Sequence, residues 1–253
     1  MRFFLRLSYN GTNFHGWQSQ PNALGVQQVI EEALSTMTRL PIQIVGAGRT
    51  DTGVHAREMF AHFDLPEDIQ NKEKFILSLN RLIGKDIAVH DILRVPEDAH
   101  ARFDASKRTY KYFVTFDKNC FLYRFCWHSP SLLDKDRMNE AAEILLETSD
   151  FTSFAKLHSD AKTNICDVNL AKWESWVNEF GVERGLVFTI SADRFLRNMV
   201  RAIVGTLVDV GRNKINLSEF QSIIEKKDRC SAGISMPASG LFLWEIKYPF
   251  FTN

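Results

Sequence analysis

The sequence predicts an α+β chain with antiparallel sheets. Strand-like alternation and helix-like periodicity are mixed in each half, without the strict strand–helix alternation of a doubly wound parallel sheet. Residues 165–177 and 185–191 read as a pair of antiparallel strands. The chain has 253 residues, of which 45% are hydrophobic and 25% charged, enough for substantial cores in one large domain or two small ones. One strand–helix set closes near Asp104–Lys107 and another opens, which places the halves at 1–105 and 106–253.

Residues 1–9 alternate, with Phe3, Leu5, Leu7 and Tyr9 on one strand face, and Asn10-Gly11-Thr12-Asn13 is a turn signal. Val26, Val29, Ile30, Ala33, Leu34 and Met37 have helical spacing over 26–39, and Pro41 ends that helix. A short strand at 42–45 leads into a glycine-rich loop. Strand 59–63, helix 72–83 and strand 86–95 complete the first half. In the second half, strand 109–116 is followed by an amphipathic helix over 135–146 and the strand pair. Helices over 195–210 and 217–226 and a closing strand over 241–248 follow. No internal repeat or low-complexity segment is visible.

No apolar run reaches the roughly 20 residues of a membrane helix; the longest, 199–210, is cut by Arg201 and Asp209. Residues 1–7 are too short for a signal-peptide apolar region, so a cytoplasmic, membrane-free protein is expected. The four cysteines, Cys120, Cys126, Cys166 and Cys230, form no Cys-x-x-Cys pair, and the seven histidines show no metal-ligand spacing. Neither a metal site nor a disulfide framework is expected. The 31 basic and 31 acidic residues cancel, but two segments are locally basic. Arg102, Lys107, Arg108 and Lys111 face only Asp104 over 102–111. Arg194, Arg197, Arg201, Arg212 and Lys214 face Asp193 and Asp209 over 193–214.

Three segments carry candidate chemistry. The first, Gly46-Ala47-Gly48-Arg49-Thr50-Asp51-Thr52-Gly53-Val54-His55-Ala56, fails as a phosphate loop. Val54-His55 replaces the Lys-Ser/Thr of a P-loop, and Asp51 replaces the third glycine of a dinucleotide fingerprint, where its charge opposes a pyrophosphate. What remains is a tight loop presenting Arg49 and Asp51. Asp51 is either a nucleophile kept ionised by a nearby arginine or a turn residue bonding its own backbone. His55 reads as a structural hydrogen-bonder.

The second is the helix over 194–210. At about 100° per residue, Arg194, Arg197, Asn198, Arg201 and Gly205 share one stripe. The arginines face phosphates, a carboxylate or solvent; Gly205 allows close approach to the backbone. The third, Lys107-Arg108-Thr109-Tyr110-Lys111-Tyr112, interleaves cations with aromatics at strand period. It is either a surface for bases and phosphates or a strand with half-buried tyrosines.

In order along nearly the whole chain, these segments resemble the tRNA pseudouridine synthase A family, which acts on the anticodon arm. Tyr9-Asn10-Gly11-Thr12…Gly16-Trp17-Gln18 is similar to its opening segment, with Asn10 where Asp is usual. Gly48-Arg49-Thr50-Asp51-x-Gly53-Val54-His55-Ala56 is similar to its signature loop. Leu79-Asn80, His100-Ala101-Arg102-Phe103, Arg108-x-Tyr110-x-Tyr112, Asp150-Phe151-Thr152-Ser153-Phe154, Phe195…Met199-Val200-Arg201…Ile203-Val204-Gly205 and Gly240-Leu241 also fit. Glu58-Met59 departs from the usual Gly-Gln, and Asp193 and Phe242 are uncommon choices.

The resemblance implies two ferredoxin-like halves with antiparallel sheets around a central basic cleft, the pseudouridine synthase fold, in a homodimer. It implies Asp51 as nucleophile, Tyr110 stacking on the target uracil, Arg201 pairing with Asp51, Arg49 holding RNA or the flipped nucleotide, and Leu241 lining the base pocket. It implies tRNA as partner, with targets at positions 38, 39 and 40, and no cofactor. Arg194, Arg197, Lys107, Arg108 and Lys111 are the expected further RNA contacts. Asp51 has three routes open: attack at C1′, attack at C6, or removal of the C2′ proton. A non-catalytic RNA-binding protein would need no Asp51, and a glycosidase would need a second carboxylate about 5–10 Å away.

Overall fold

The computed structural model describes residues 1–157, 162–180 and 184–251. It is a mixed α/β chain with nine strands and five α-helices among those residues. The pairs among the strands within residues 2–95 are antiparallel, as are those among Lys107–Thr115, Val168–Ser175 and Gly185–Ala192, and a short parallel match joins Val114 with Trp127 and Thr115 with His128. The chain forms two compact units, Met1–Ser106 with Leu243–Asn253, and Lys107–Phe242. The C-terminal stretch thus groups with the first unit, whereas the expected halves put it with the second.

The first unit runs β1 (Arg2–Tyr9), α1 (Val26–Thr38), β2 (Val45–Gly46), β3 (His55–Asp64), α2 (Lys72–Leu82) and β4 (Ile87–Val95). β1 lies between β3 and β4, and β2 pairs with the later part of β3. The predicted face of β1 is buried, but so is Phe4 on the opposite face. Its ring meets Tyr248, Phe250 and Phe251 at centroid distances of 5.3, 5.9 and 5.9 Å. An aromatic tail from the end of the chain therefore covers the second face of β1.

Two predicted strands change. The strand over 42–45 shrinks to β2, because side chains of α1 take its main-chain groups: Ile42 N–H donates to Ser35 Oγ at 3.0 Å and Ile44 N–H to Glu31 Oε1 at 2.9 Å. The strand over 59–63 extends back to His55, since Arg57 and Glu58 hid its start from a hydrophobic pattern while Tyr9 pairs with Ala56. Asn80 of α2 both donates to Val89 O and accepts from Val89 N, each at 2.8 Å. It fixes α2 on β4 as a strand edge would.

The second unit runs β5 (Lys107–Thr115), β6 (Trp127–His128), α3 (Lys135–Ile144), β7 (Val168–Ser175), β8 (Gly185–Ala192), α4 (Met199–Gly211) and α5 (Leu217–Glu225), and holds the first residues of β9 (Leu241–Lys247). β8 lies between β5 and β7 and is buried throughout. Phe242 at the start of β9 meets the ring of Phe113 on β5 at 5.4 Å. With β6 and α5 as additions, the chain from β5 to β9 repeats the strand–helix–strand–strand–helix–strand order of β1 to β4. The sequence shows no sign of that repetition.

The largest correction concerns α4. Its predicted start near Phe195 is overturned, because Asn198 takes a left-handed conformation (φ 66°) and the helix begins at Met199. Leu196 mimics helical spacing because the preceding turn buries it, with Met199 N–H donating to Leu196 O at 3.1 Å. Arg194 and Arg197 therefore precede the helix, and the three-arginine stripe does not exist.

His62 on β3 is 6% exposed. Its Nδ1 accepts the Ala101 N–H at 3.1 Å, and its ring meets that of His100 at 4.7 Å. Burial first, and then the Arg2 charge, lowers its pKa to about 4. The unfolded chain then binds a proton between about pH 6.5 and 4 that the folded chain refuses. This contribution is present at neutral pH and is lost as pH falls through that window, by up to about 3 kcal/mol. Melting temperatures measured from pH 7 to 4 should fall less steeply for His62→Gln than for wild type. Identical slopes would contradict the assignment.

Candidate active site

The glycine-rich loop between β2 and β3 is held by the segment that follows β1. Their main chains approach so closely that side chains are excluded. A Cβ on Gly11 would stand 2.0 Å from Val54 O, and one on Gly16 would stand 2.2 Å from Thr50 O. Gly16 also has φ +88°, which L side chains rarely adopt. Hydrogen bonds run both ways: Trp17 N–H donates to Thr50 O at 3.4 Å and Gly53 N–H to Phe14 O at 3.2 Å. Tyr9 Oη and Thr50 Oγ1 are 2.8 Å apart, and Trp17 packs flat on Gly46, leaving 2.4 Å for a Cβ.

Asp51 opens a turn closed through the main chain, where its carbonyl accepts Val54 N–H at 3.1 Å. Gly53 supplies the positive φ (79°) that a type II turn needs at its third residue. Asp51 is half-buried and Arg49 exposed on the same loop. His55 is 1% exposed, and its Nδ1 accepts Gly11 N–H at 3.0 Å. It is a structural acceptor, as the sequence suggested. Two departures from the family pattern have local roles. Asn10 Oδ1 accepts from Thr12 N and Oγ1 at 3.1 and 2.7 Å, as an aspartate would. Glu58 Oε1 accepts Ile246 N–H at 3.1 Å.

Tyr110, Arg201 and Leu241 belong to the second unit. Tyr110 is half-buried on β5, and its ring meets Phe195 edge-on at 5.1 Å. Tyr112 differs from the half-buried state expected of it. It is fully buried, with Oη donating to Pro237 O at 3.0 Å, and burial pushes its pKa well up. Arg201 Nε donates to Met236 O at 2.6 Å, and Arg201 O accepts Met236 N–H at 3.1 Å. Gly205 does admit a close approach, but from the chain itself: a Cβ there would stand 1.8 Å from Ile234 O. Ser235 Oγ lies 2.6 Å from Asn198 Nδ2 and 2.9 Å from Arg229 Nη2. Gly233 N–H donates to Thr206 Oγ1 at 2.9 Å.

Residues 233–237 are thus fastened to α4, and through Tyr112 to β5. They lead directly to Leu241, which is buried. Sequence reasoning missed this fastening; its signals were Gly205, Gly233 and Asn198, whose partners are distant in the chain. Among the other cationic candidates, Arg108 donates to Asp193 O at 2.7 Å. Lys107, Lys111 and Arg194 are half-buried, and Arg197 is exposed. Among the described residues, no group of three or more His, Cys, Asp or Glu side chains is placed to hold a metal ion, and no helix is long and apolar enough to cross a membrane.

A family model described as tRNA pseudouridine synthase matches residues 7–104 and 141–249. The chain is 54% identical over 248 residues to tRNA pseudouridine synthase A of Parabacteroides distasonis, covering 98% of this chain and 96% of that protein. It is 52% identical over 248 residues to the protein of the same name from Bacteroides thetaiotaomicron, covering 98% and 91%. With that of Bacillus pumilus it shares 37% identity over 252 residues, covering 98% and 99%. The loop that β1 and its following segment hold in place thus lies in a chain that matches these enzymes nearly end to end, and the chain belongs to the tRNA pseudouridine synthase family, isomerases that convert uridine to pseudouridine.

Proposed function

We propose that this chain isomerises uridines 38, 39 and 40 in the anticodon arm of tRNA, with Asp51 as the nucleophile. The observation that carries this reading is the loop itself. A half-exposed carboxylate sits on a backbone fixed from both sides, as a reacting group must be. The reaction breaks the C1′–N1 bond, joins C1′ to C5, releases the C5 proton and puts a proton on N1. It adds no atom and changes no oxidation state. The base leaves its stack to be reached, at a cost of about a few kcal/mol.

An ionised Asp51 then attacks C1′ or C6, or takes the C2′ proton. Arg201 pairs with it and keeps it charged, Arg49 holds the RNA, Tyr110 stacks on the uracil, and Leu241 lines the base pocket. Lys107, Arg108, Lys111, Arg194 and Arg197 neutralise phosphates. The same reading includes ferredoxin-like halves, a basic cleft and a homodimer; the repeated strand–helix order is consistent with the first.

Tritium release from tRNA labelled at C5 of uridine tests the activity. Asp51→Asn should abolish release while tRNA affinity stays within a few-fold of wild type, because a carboxylate is needed for the chemistry and opposes phosphate binding. Turnover by the purified variant would remove Asp51 from the reaction.

Arg201→Lys should lose far more activity than its kept charge suggests. The guanidinium uses Nε on Met236 O, and a lysine cannot make that bond and also grip a carboxylate in a fork. With Asp51 easier to protonate, the acid limb of the pH–rate profile should move up. A wild-type rate and an unmoved acid limb would show that Arg201 does not act on Asp51.

A further inference from the structure

Phe103 is 73% exposed, yet every main-chain N–H of the loop beneath it, from His100 to Asp104, is engaged. His100 N–H donates to Asp104 Oδ2 at 2.7 Å, and Asp104 N–H returns to His100 O at 3.1 Å. Ala101 N–H donates to His62 Nδ1 at 3.1 Å, and Ala101 O accepts from Tyr248 Oη at 2.5 Å. His100 Nδ1 accepts the N–H groups of Arg102 and Phe103 at 3.1 and 3.3 Å. The ring of Phe103 rests on that of His100, with centroids 4.2 Å apart and planes 33° apart. Arg102 places its guanidinium 5.7 Å from the Phe103 ring.

An exposed large aromatic loses nothing by being flexible unless something binds it. Here, one ring is held on another, beside an exposed cation, on a loop with little freedom. A flat face next to a positive charge suits an unpaired base and its phosphate, since stacking accepts any base and the cation neutralises the backbone. Asp104, the acidic residue of the loop, accepts the His100 N–H through Oδ2. The platform lies at the His62 end of β3, and the Asp51 loop joins β3 at His55. Seven residues at about 3.3 Å each set these ends about 23 Å apart.

We propose that Phe103 and Arg102 form a second tRNA contact, which stacks an unpaired base outside the reacting nucleotide and holds the body of the tRNA while Asp51 works. This rests on tRNA being the substrate. A contact so far from the chemistry changes binding and leaves the chemical step alone.

The test measures equilibrium binding of unmodified tRNA, single-turnover rate at saturating enzyme, and molar mass by light scattering for wild type, Phe103→Ala, Phe103→Leu, Phe103→Trp and Arg102→Gln. At this exposure the variants should fold, and melting temperatures check it. Phe103→Ala and Phe103→Leu should weaken tRNA binding by about tenfold, the scale of one base–aromatic stack. Phe103→Trp should bind at least as well as wild type. Arg102→Gln should flatten the salt dependence of binding. Saturating rates and molar mass should not change.

If Phe103→Leu binds as tightly as wild type, no base stacks there and the proposal fails. A change in molar mass accompanying the loss would make the surface a contact between copies of this chain, which also overturns it. Binding is read without turnover, so a chain that forms no pseudouridine would defeat the proposed function while still answering this question.

Discussion

The first unit depends on one constraint: the main chain of residues 11–17 lies directly against the main chain of residues 50–54. Backbone atoms come within contact at Gly11 and Gly16, where any side chain would collide with a carbonyl. Backbone does not change rotamer, so this contact fixes the loop more stiffly than side-chain packing does. The hydrogen bonds of Trp17 and Gly53 cross the same contact in opposite directions. The buried ring of His55 completes it by accepting the Gly11 N–H. Asp51 takes its position from this frame, because the turn that carries it closes through main-chain atoms.

The second unit uses the same device. Gly205 on α4 admits Ile234 O, and the main chain of Gly233 lies against that of α4 at Gly205 and Thr206. Arg201 then fastens Met236 from both its backbone and its side chain. The arginine expected to act on a carboxylate therefore also sets the path of the segment running to Leu241. A lysine at 201 cannot reproduce the Nε bond to Met236 O, so a charge-conserving substitution there is not conservative.

Much of this was legible in the sequence. Tyr9-Asn10-Gly11-Thr12 and Gly48-Arg49-Thr50-Asp51 stand out because glycines and polar residues interrupt apolar runs at unusual density, and alternation gave β1. What failed did so for physical reasons. Phe4 lies off the alternating face of β1, and its cover arrives from Tyr248, Phe250 and Phe251. Residues 42–44 looked like a strand, but Glu31 and Ser35 had already taken two of their N–H groups. Leu196 kept helical spacing across a turn, so α4 seemed one turn longer and its arginines seemed aligned. Gly11 read only as a turn residue, because the backbone it admits at Val54 is about 40 positions away. The repeated strand–helix order is carried by backbone geometry, with different side chains filling each copy.

The claim that the backbone contact, rather than the carboxylate alone, makes the site is tested most directly by the single-turnover rate of Gly16→Ala on tRNA. The added methyl meets Thr50 O on a residue with φ +88°, so the loop must shift by a fraction of its own contact distance. The account expects the chemical rate to fall on the order of 100-fold, the scale of a misplaced reacting group, with tRNA affinity within a few-fold and a folded protein by its melting curve. A folded Gly16→Ala protein that keeps the wild-type rate would contradict it.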